Sequence, residues 1–169
     1  NVALTNTLNV GGTGLTVNGN LNGNSSTTSV FKNEGILTYS PSSTAMPMVN
    51  GLFEAHATGN KVYYARNNDQ NIFSGIHYYD LIISGSSGTK TFNNDLFVDH
   101  ELKIGENAVL GSGSSVNDAW TLTLLGNIIV NNTGDAFIEN KGEIVFNGSS
   151  AQSIVKSGTT PRSEERRVG

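Results

Sequence analysis

An internal repeat is the feature that most constrains how this chain can fold. Residues 122–150 align without a gap on residues 15–43 at an offset of 107, and nine of the 29 aligned positions are identical. The second half of the unit also matches residues 62–72 at an offset of 82. Repetition at this scale is typical of a solenoid, in which each unit packs on its neighbours.

The local unit is a pair of very short strands joined by a polar corner. The clearest example is LFVDHELKI at residues 96–104, in which residues 99–101 are the predicted corner. Equivalent corners are expected at 125–127 and 18–20, where a Gly-Asn pair suits a sharp bend. Such short strands are stable when each pairs with the next turn, about 4.8 Å away. The pattern predicts an all-β, right-handed, single-stranded parallel β-helix of about seven coils.

The repeat also predicts which side chains fill the core. Six side chains at aligned positions of three copies are expected to point inward, namely Leu37, Tyr39, Val62, Tyr64, Ile144 and Phe146. Successive side chains of a strand alternate between its two sides, so Thr38, Tyr63 and Val145 are expected to point outward. Ten further core positions are predicted: Leu81, Ile83, Leu96, Val98, Leu102, Ile104, Leu122, Leu124, Ile128 and Val130.

Composition excludes several classes of protein. Asn, Gly, Ser and Thr make up 76 of the 169 residues and charged residues only 14%, a balance that disfavours helices. The net charge of −4 offers no basic surface for nucleic acid. No run approaches the ~18 apolar residues of a membrane span, so direct membrane insertion is not expected. Without cysteine, disulfides and thiolate metal sites are ruled out.

Two parts of the chain are distinguished by their sequence. Residues 1–161 are interpreted as a solenoid fragment that is incomplete at both ends and packs on flanking coils of a parent chain. Residues 162–169, RSEERRVG, carry five charged residues in eight positions and resemble the in-frame translation of a common sequencing-adapter oligonucleotide. This tail is therefore expected to be an artefact. A natural charged linker is the alternative.

No catalytic, cofactor or metal site is predicted from the motifs. The densest ionisable cluster, Asp99-His100-Glu101, lies in a predicted corner, where a solvated turn is favoured over acid–base chemistry or a metal site. His56 and His77 show no ligand spacing with His100 or with each other. The glycine-rich residues 11–19 lack the lysine of a phosphate-binding loop. The aspartates do not recur at one repeat position, as stacked catalytic carboxylates would.

Aromatic side chains are the remaining candidates for a binding surface. Exposed rings on a flat sheet can stack on sugars, and Tyr63, Tyr78, Tyr79 and Trp120 are weak candidates for glycan stacking. The alternative is that these rings fill β structure, in which aromatic residues are common.

Three stretches resemble the repeats of a known group of proteins. They are FNGSSAQSI at 146–154, YYDLIISGSSGTKTF at 78–92 and LTLLGNIIV at 122–130. All three are similar to the β-solenoid repeats of large secreted surface proteins and adhesins of Bacteroidetes-type bacteria, and the resemblance covers most of residues 4–157. It implies a pectin-lyase-like, right-handed parallel β-helix and export from the cell.

The resemblance and the missing catalytic motifs favour one function over another. We expect a structural or adhesive segment of a secreted or cell-surface bacterial protein, without chemistry of its own and without a cofactor. Its expected partners are glycans or other cell-surface molecules. The alternative is the scaffold part of a pectin-lyase-like carbohydrate-active enzyme, either a polysaccharide lyase or a glycoside hydrolase.

Overall fold

The chain is all-β, as predicted. The computed structural model describes residues 2–4, 6–24, 28–113, 115–138 and 140–156, and the tail at 162–169 lies outside them. Within the described residues there are 18 strands, numbered β1 to β18 along the chain, and no helix. Every strand pairing there is parallel, and successive pairings stack the chain into a β-solenoid of about seven turns. The right-handedness of the coil stays a prediction.

Three faces run along the stack. The first consists of β2 (Thr7–Val10), β5 (Val30–Asn33), β7 (Leu52–Glu54), the first part of β10 (His77–Ile83), the first part of β12 (Leu96–Ile104), β14 (Thr121–Leu124) and β17 (Glu143–Phe146). The second consists of β3 (Gly14–Val17), β6 (Ile36–Tyr39), β8 (Lys61–Tyr64), the rest of β10 and β12, β15 (Asn127–Val130) and β18 (Ile154–Lys156).

The third face is built from shorter strands. It consists of β1 (Val2–Leu4), β4 (Leu21–Gly23), β9 (Gln70–Ile72), β11 (Thr89–Phe92), β13 (Val109–Ser112) and β16 (Phe137–Ile138). The loop between β6 and β7 bridges β4 and β9, because the Met48 amide donates to the Leu21 carbonyl and the Asn71 amide donates to the Thr44 carbonyl.

The corner predicted at 99–101 is not a turn. These residues lie inside the nine-residue strand β12, which runs from the first face into the second. Tyr78 pairs with Val98 and Asp80 pairs with Glu101, so two residues of β12 stand opposite Tyr79 alone. This is a β-bulge, which bends a strand without ending it. The direction change was predicted correctly, but an inserted residue produces it where a loop was expected.

The predicted core is largely confirmed. The ten further positions from Leu81 to Val130 are all buried, and so are Leu37, Tyr39, Val62 and Tyr64. Ile144 is partly buried against the core. Phe146 is 42% exposed, which corrects its assignment as a core residue. It stacks in register on Leu124, and no described strand lies on its other side.

The repeat alignment does not match the way in which the turns stack on one another. Leu37 stacks on Val62 on the second face, as the alignment predicts. Ile144, which the alignment places with them, instead stacks on Leu122 on the first face. The 107-residue offset therefore compares strands on two different faces. Both faces use the same short alternating strands, so their sequences are alike although their places in the coil differ.

Buried asparagine side chains join neighbouring turns through hydrogen bonds to backbone carbonyls. The Asn60 Nδ2 donates to the Asn33 carbonyl over 2.7 Å, and the Asn33 Nδ2 donates to the Lys61 carbonyl over 3.1 Å. These bonds cross from one turn to the next and satisfy carbonyls at corners, where the strand ladder is interrupted. A hydrogen bond of this kind contributes about 1 kcal/mol, and an unpaired buried carbonyl costs more than that.

Lys90 is a buried cation that also bonds to backbone carbonyls. Its side chain lies inside the third face, and its Nζ donates to the carbonyls of Asn68 and Ser87 over 3.0 and 3.1 Å. Burial lowers the pKa of Lys90 to about 8, although Asp69 partly offsets this effect. The ammonium replaces water for two loop carbonyls and in this way ties the loops of neighbouring turns together.

The stability of the chain is expected to rise between pH 8 and pH 10. The folded state releases the Lys90 proton at a lower pH than the unfolded chain, whose lysine has a pKa near 10.5. The unfolded state therefore binds more protons in this window, and the free energy of unfolding increases by about 2 kcal/mol relative to a Lys90→Met variant. Denaturant unfolding of both proteins at pH 7 and pH 10 measures the difference. If the free energy of unfolding of the two proteins changed with pH in the same way, the burial of the Lys90 ammonium would be contradicted.

Candidate functional site

The strongest cluster of functional side chains lies on the outer surface where β10 and β12 bend. The bulge opposite Tyr79 turns both strands from the first face into the second, and outward side chains converge at this corner. Two histidines, two aspartates and two aromatic rings meet there: His77, Tyr79, Asp80, Phe97, Asp99 and His100.

Asp80 and His100 form the more buried of two histidine–aspartate pairs. The His100 Nδ1 lies 2.6 Å from the Asp80 Oδ1, and the Lys61 Nζ lies 3.4 Å from the Asp80 Oδ2. The Asp80 side chain is only 5% exposed, whereas His100 is 54% exposed. A buried carboxylate at Nδ1 orients the imidazole ring, so the Nε2 atom is left to face other groups.

His77 and Asp99 form the second pair, in which the two strands exchange roles. Here the histidine comes from β10 and the aspartate from β12, and the His77 Nδ1 lies 2.8 Å from the Asp99 Oδ1. The His77 side chain is about half exposed. The two pairs cross between the same two turns in opposite directions, so they hold β10 and β12 in one register at the corner.

Flat ring contacts fix both imidazoles further. His77 stacks on Phe97 with centroids 4.6 Å apart and planes 7° apart, and His100 stacks on Tyr79 at 4.8 Å and 9°. Each histidine is therefore held at one edge by a carboxylate and on one side by an aromatic ring. Together the four rings present a partly exposed aromatic surface with polar edges, as sugar-binding surfaces do.

The cluster carries part of an acid–base apparatus. An aspartate-oriented imidazole can exchange a proton through its second nitrogen. In the part of the chain that the structure describes, no hydroxyl group hydrogen-bonds to either imidazole. Nor do three or more His, Asp or Glu side chains gather there in a way that could hold a metal ion. The arrangement can accept and donate hydrogen bonds, and among the described residues no hydroxyl group is held against either imidazole as an activated serine or threonine nucleophile would be.

The four predicted stacking residues lie in different environments. Tyr63 and Tyr79 point outward and are partly exposed, on neighbouring strands of the second face and its corner. Tyr78 is fully buried, and its hydroxyl donates to the Phe73 carbonyl over 2.5 Å. Burial raises the pKa of Tyr78 well above its usual value, and the ring cannot reach a ligand. Trp120 packs partly against the core beside β14, two turns beyond β10.

Sequence reasoning missed both histidine–aspartate pairs because it searched for spacing within one segment. His77 and Asp99 are 22 residues apart, and Asp80 and His100 are 20 apart. Both separations are close to one turn of the coil at this point, because Leu81 stacks on Leu102. A search for ionisable residues 20 to 22 positions apart would have included both pairs, but only the structure shows that a turn has this length here.

Comparison of the chain with family models, curated proteins and solved structures gives no match. The described residues also contain no helix of the length and apolar character needed to cross a membrane. The resemblance to solenoid repeats of surface proteins therefore rests on the sequence motifs, and the architecture rests on the strand pairing.

Proposed function

We propose that this chain is a structural and adhesive segment of a secreted or cell-surface bacterial β-solenoid. The observation that carries the proposal is the polar aromatic surface at the β10–β12 corner, where Tyr79 and His100 are stacked and partly exposed. A rigid stack of turns holds this surface in place, and rigid elements position a binding surface more accurately than loops do. Glycans are the proposed partners, because aromatic rings with polar edges suit sugar rings.

Loss of either exposed tyrosine is expected to weaken glycan binding. Tyr79→Ala removes a ring from the corner surface, and Tyr63→Ala removes the outward ring on the neighbouring strand β8, opposite Ile82. Each change is expected to raise Kd about tenfold, which corresponds to about 1.4 kcal/mol of lost stacking. Binding of the full chain to a glycan array, followed by calorimetry on the best ligand, measures the effect.

The control for this experiment is Thr91→Ala. Thr91 points outward from the third face, away from the corner, and its side chain is partly exposed as those of the two tyrosines are. Its loss is expected to leave Kd unchanged. A chain that binds no glycan, or binds one equally well without both tyrosines, would contradict the proposed adhesive surface.

A carbohydrate-active enzyme is the second candidate function, and the Asp80–His100 pair favours it. A buried carboxylate that orients an imidazole is a recurrent part of hydrolytic and eliminative sites. Release of reducing ends or unsaturated products from a panel of acidic polysaccharides tests this activity directly. Product formation that is abolished by His100→Ala would favour the enzyme over the adhesive segment.

A further inference from the structure

An open groove of about 400 Å³ lies on the outside of the first face, next to the histidine–aspartate corner. It runs where β7 passes beside the start of β10, and its volume is in the range of small-molecule sites. Its walls combine the apolar side chains of Leu52 and Ile76 with four ionisable side chains, Glu54, His56, His77 and Asp99.

Three polar side chains of the groove have unused hydrogen-bonding capacity. Among the described residues, neither the Glu54 carboxylate nor the His56 imidazole forms a hydrogen bond. His77 uses only Nδ1, on Asp99, so its Nε2 remains able to bond elsewhere. Glu54 is an acceptor, whereas each imidazole can either donate or accept. Neighbouring hydroxyl groups of a sugar ring need such a mixture of donors and acceptors.

The apolar part of the groove is equally suited to a sugar. His77 is held flat against Phe97 and fixed at one edge by Asp99, so the groove needs little ordering when a ligand binds. Leu52, 44% exposed, offers an aliphatic surface on the β7 side. A pyranose ring has the matching character, since its C–H groups form apolar patches and its hydroxyl groups form a polar rim.

The negative charge of the groove favours neutral sugars over acidic ones. Two carboxylates, those of Glu54 and Asp99, line the groove, and no lysine or arginine lines it within the described part of the chain. Lys32 on the adjoining strand stands in register with Glu54 and interacts with its charge, but the Lys32 Nζ lies 2.5 Å from Glu34, which neutralises much of it. A sugar acid would bring a third carboxylate into this space and would be repelled.

We infer that this groove binds a neutral saccharide of one or two rings and rejects acidic polysaccharides. The inference rests on the proposed adhesive function and names its ligand class and a second contact point. The groove and the Tyr79–His100 surface share the β10–β12 corner, so one glycan chain can contact both. The expected ligand differs from the acidic polysaccharides on which the alternative enzyme would act.

The test is calorimetry of the full chain with a neutral cello-oligosaccharide, a neutral manno-oligosaccharide and polygalacturonate. We expect binding to at least one neutral oligosaccharide and none to polygalacturonate. Glu54→Gln keeps the size of the side chain but removes its charge, and His56→Ala removes an exposed ring. Each is expected to raise Kd for the neutral ligand about tenfold, with Thr91→Ala unchanged.

The outcomes separate this inference from the proposed function. Neutral glycan binding that depends on Tyr63 and Tyr79 but not on Glu54 or His56 would overturn the groove and leave the adhesive surface intact. Preferential binding of polygalacturonate would overturn the charge selection alone. A chain that binds no glycan of either class would overturn the adhesive function, and the groove assignment with it.

Discussion

Tyr64→Ala is expected to lower the free energy of unfolding by about 3–5 kcal/mol, the usual cost of removing a large aromatic side chain from a core. Tyr64 is 0% exposed and makes edge-on ring contacts with Tyr39 and Tyr78. Its hydroxyl lies 2.8 Å from the Tyr78 hydroxyl and accepts a hydrogen bond from the Phe73 amide over 3.0 Å. The change therefore leaves a cavity and deprives the Phe73 amide of its acceptor. Denaturant unfolding measures the loss.

Tyr63→Ala is the matched control. The same residue type stands one position earlier on the same strand, β8, but points outward. Its loss is expected to cost less than about 1 kcal/mol, in line with surface substitutions. Tyr64→Phe removes only the hydroxyl and is expected to cost about 1–2 kcal/mol, so an effect remains measurable if the alanine variant does not fold. A larger loss at Tyr63 than at Tyr64 would mean that β8 is shifted by one residue.

Gly126→Ala is expected to destabilise the chain by about 3 kcal/mol or more, because it forces two turns apart. A Cβ atom at this position would lie 1.8 Å from the carbonyl oxygen of His100. That oxygen belongs to the backbone of the bulge and cannot rotate away as a side chain can. Gly126 thus allows the bend between β14 and β15 to pass directly against the bulge in β12, next to the histidine–aspartate pairs.

Gly14→Ala separates this clash from a general effect of glycine replacement. Gly14 begins β3, and a Cβ atom added there would have no heavy atom within 4 Å. Alanine restricts the unfolded chain more than glycine does, so stability is expected to stay level or rise by up to about 1 kcal/mol. Thermal unfolding of both variants checks the contrast. Equal Tm values for the two variants would show that the turns do not approach closely at Gly126.

The Gly126 variant also tests the link between fold and site. If the two turns are forced apart, the His100 backbone moves, and the short contact between His100 and Asp80 is lost with it. Glycan binding at the Tyr79–His100 surface is then expected to weaken in parallel with stability.

The corner at residues 99–101 shows how much of the site could be predicted. Its polar residues and its equivalence to 125–127 predicted a change of direction, and the close approach of Gly126 to His100 agrees with that equivalence. The form of the corner could not be predicted from the sequence, because a bulge depends on the register of the opposite strand. Here Tyr79 alone faces Asp99 and His100. The two histidine–aspartate pairs form across that bulge.

Sequence alone determined the alternation of side chains and with it most of the core. Inward positions such as Leu37, Val62 and Leu81 follow from local polarity, since a strand exposes one side and buries the other. Only the tertiary structure decided which face each strand joins and which outward side chains meet. On the second face the length of a turn varies from 19 residues between Val62 and Leu81 to 26 between Leu102 and Ile128. Because register depends on that length, neither the stacking of Ile144 nor the meeting of Asp80 with His100 could be derived from local patterns.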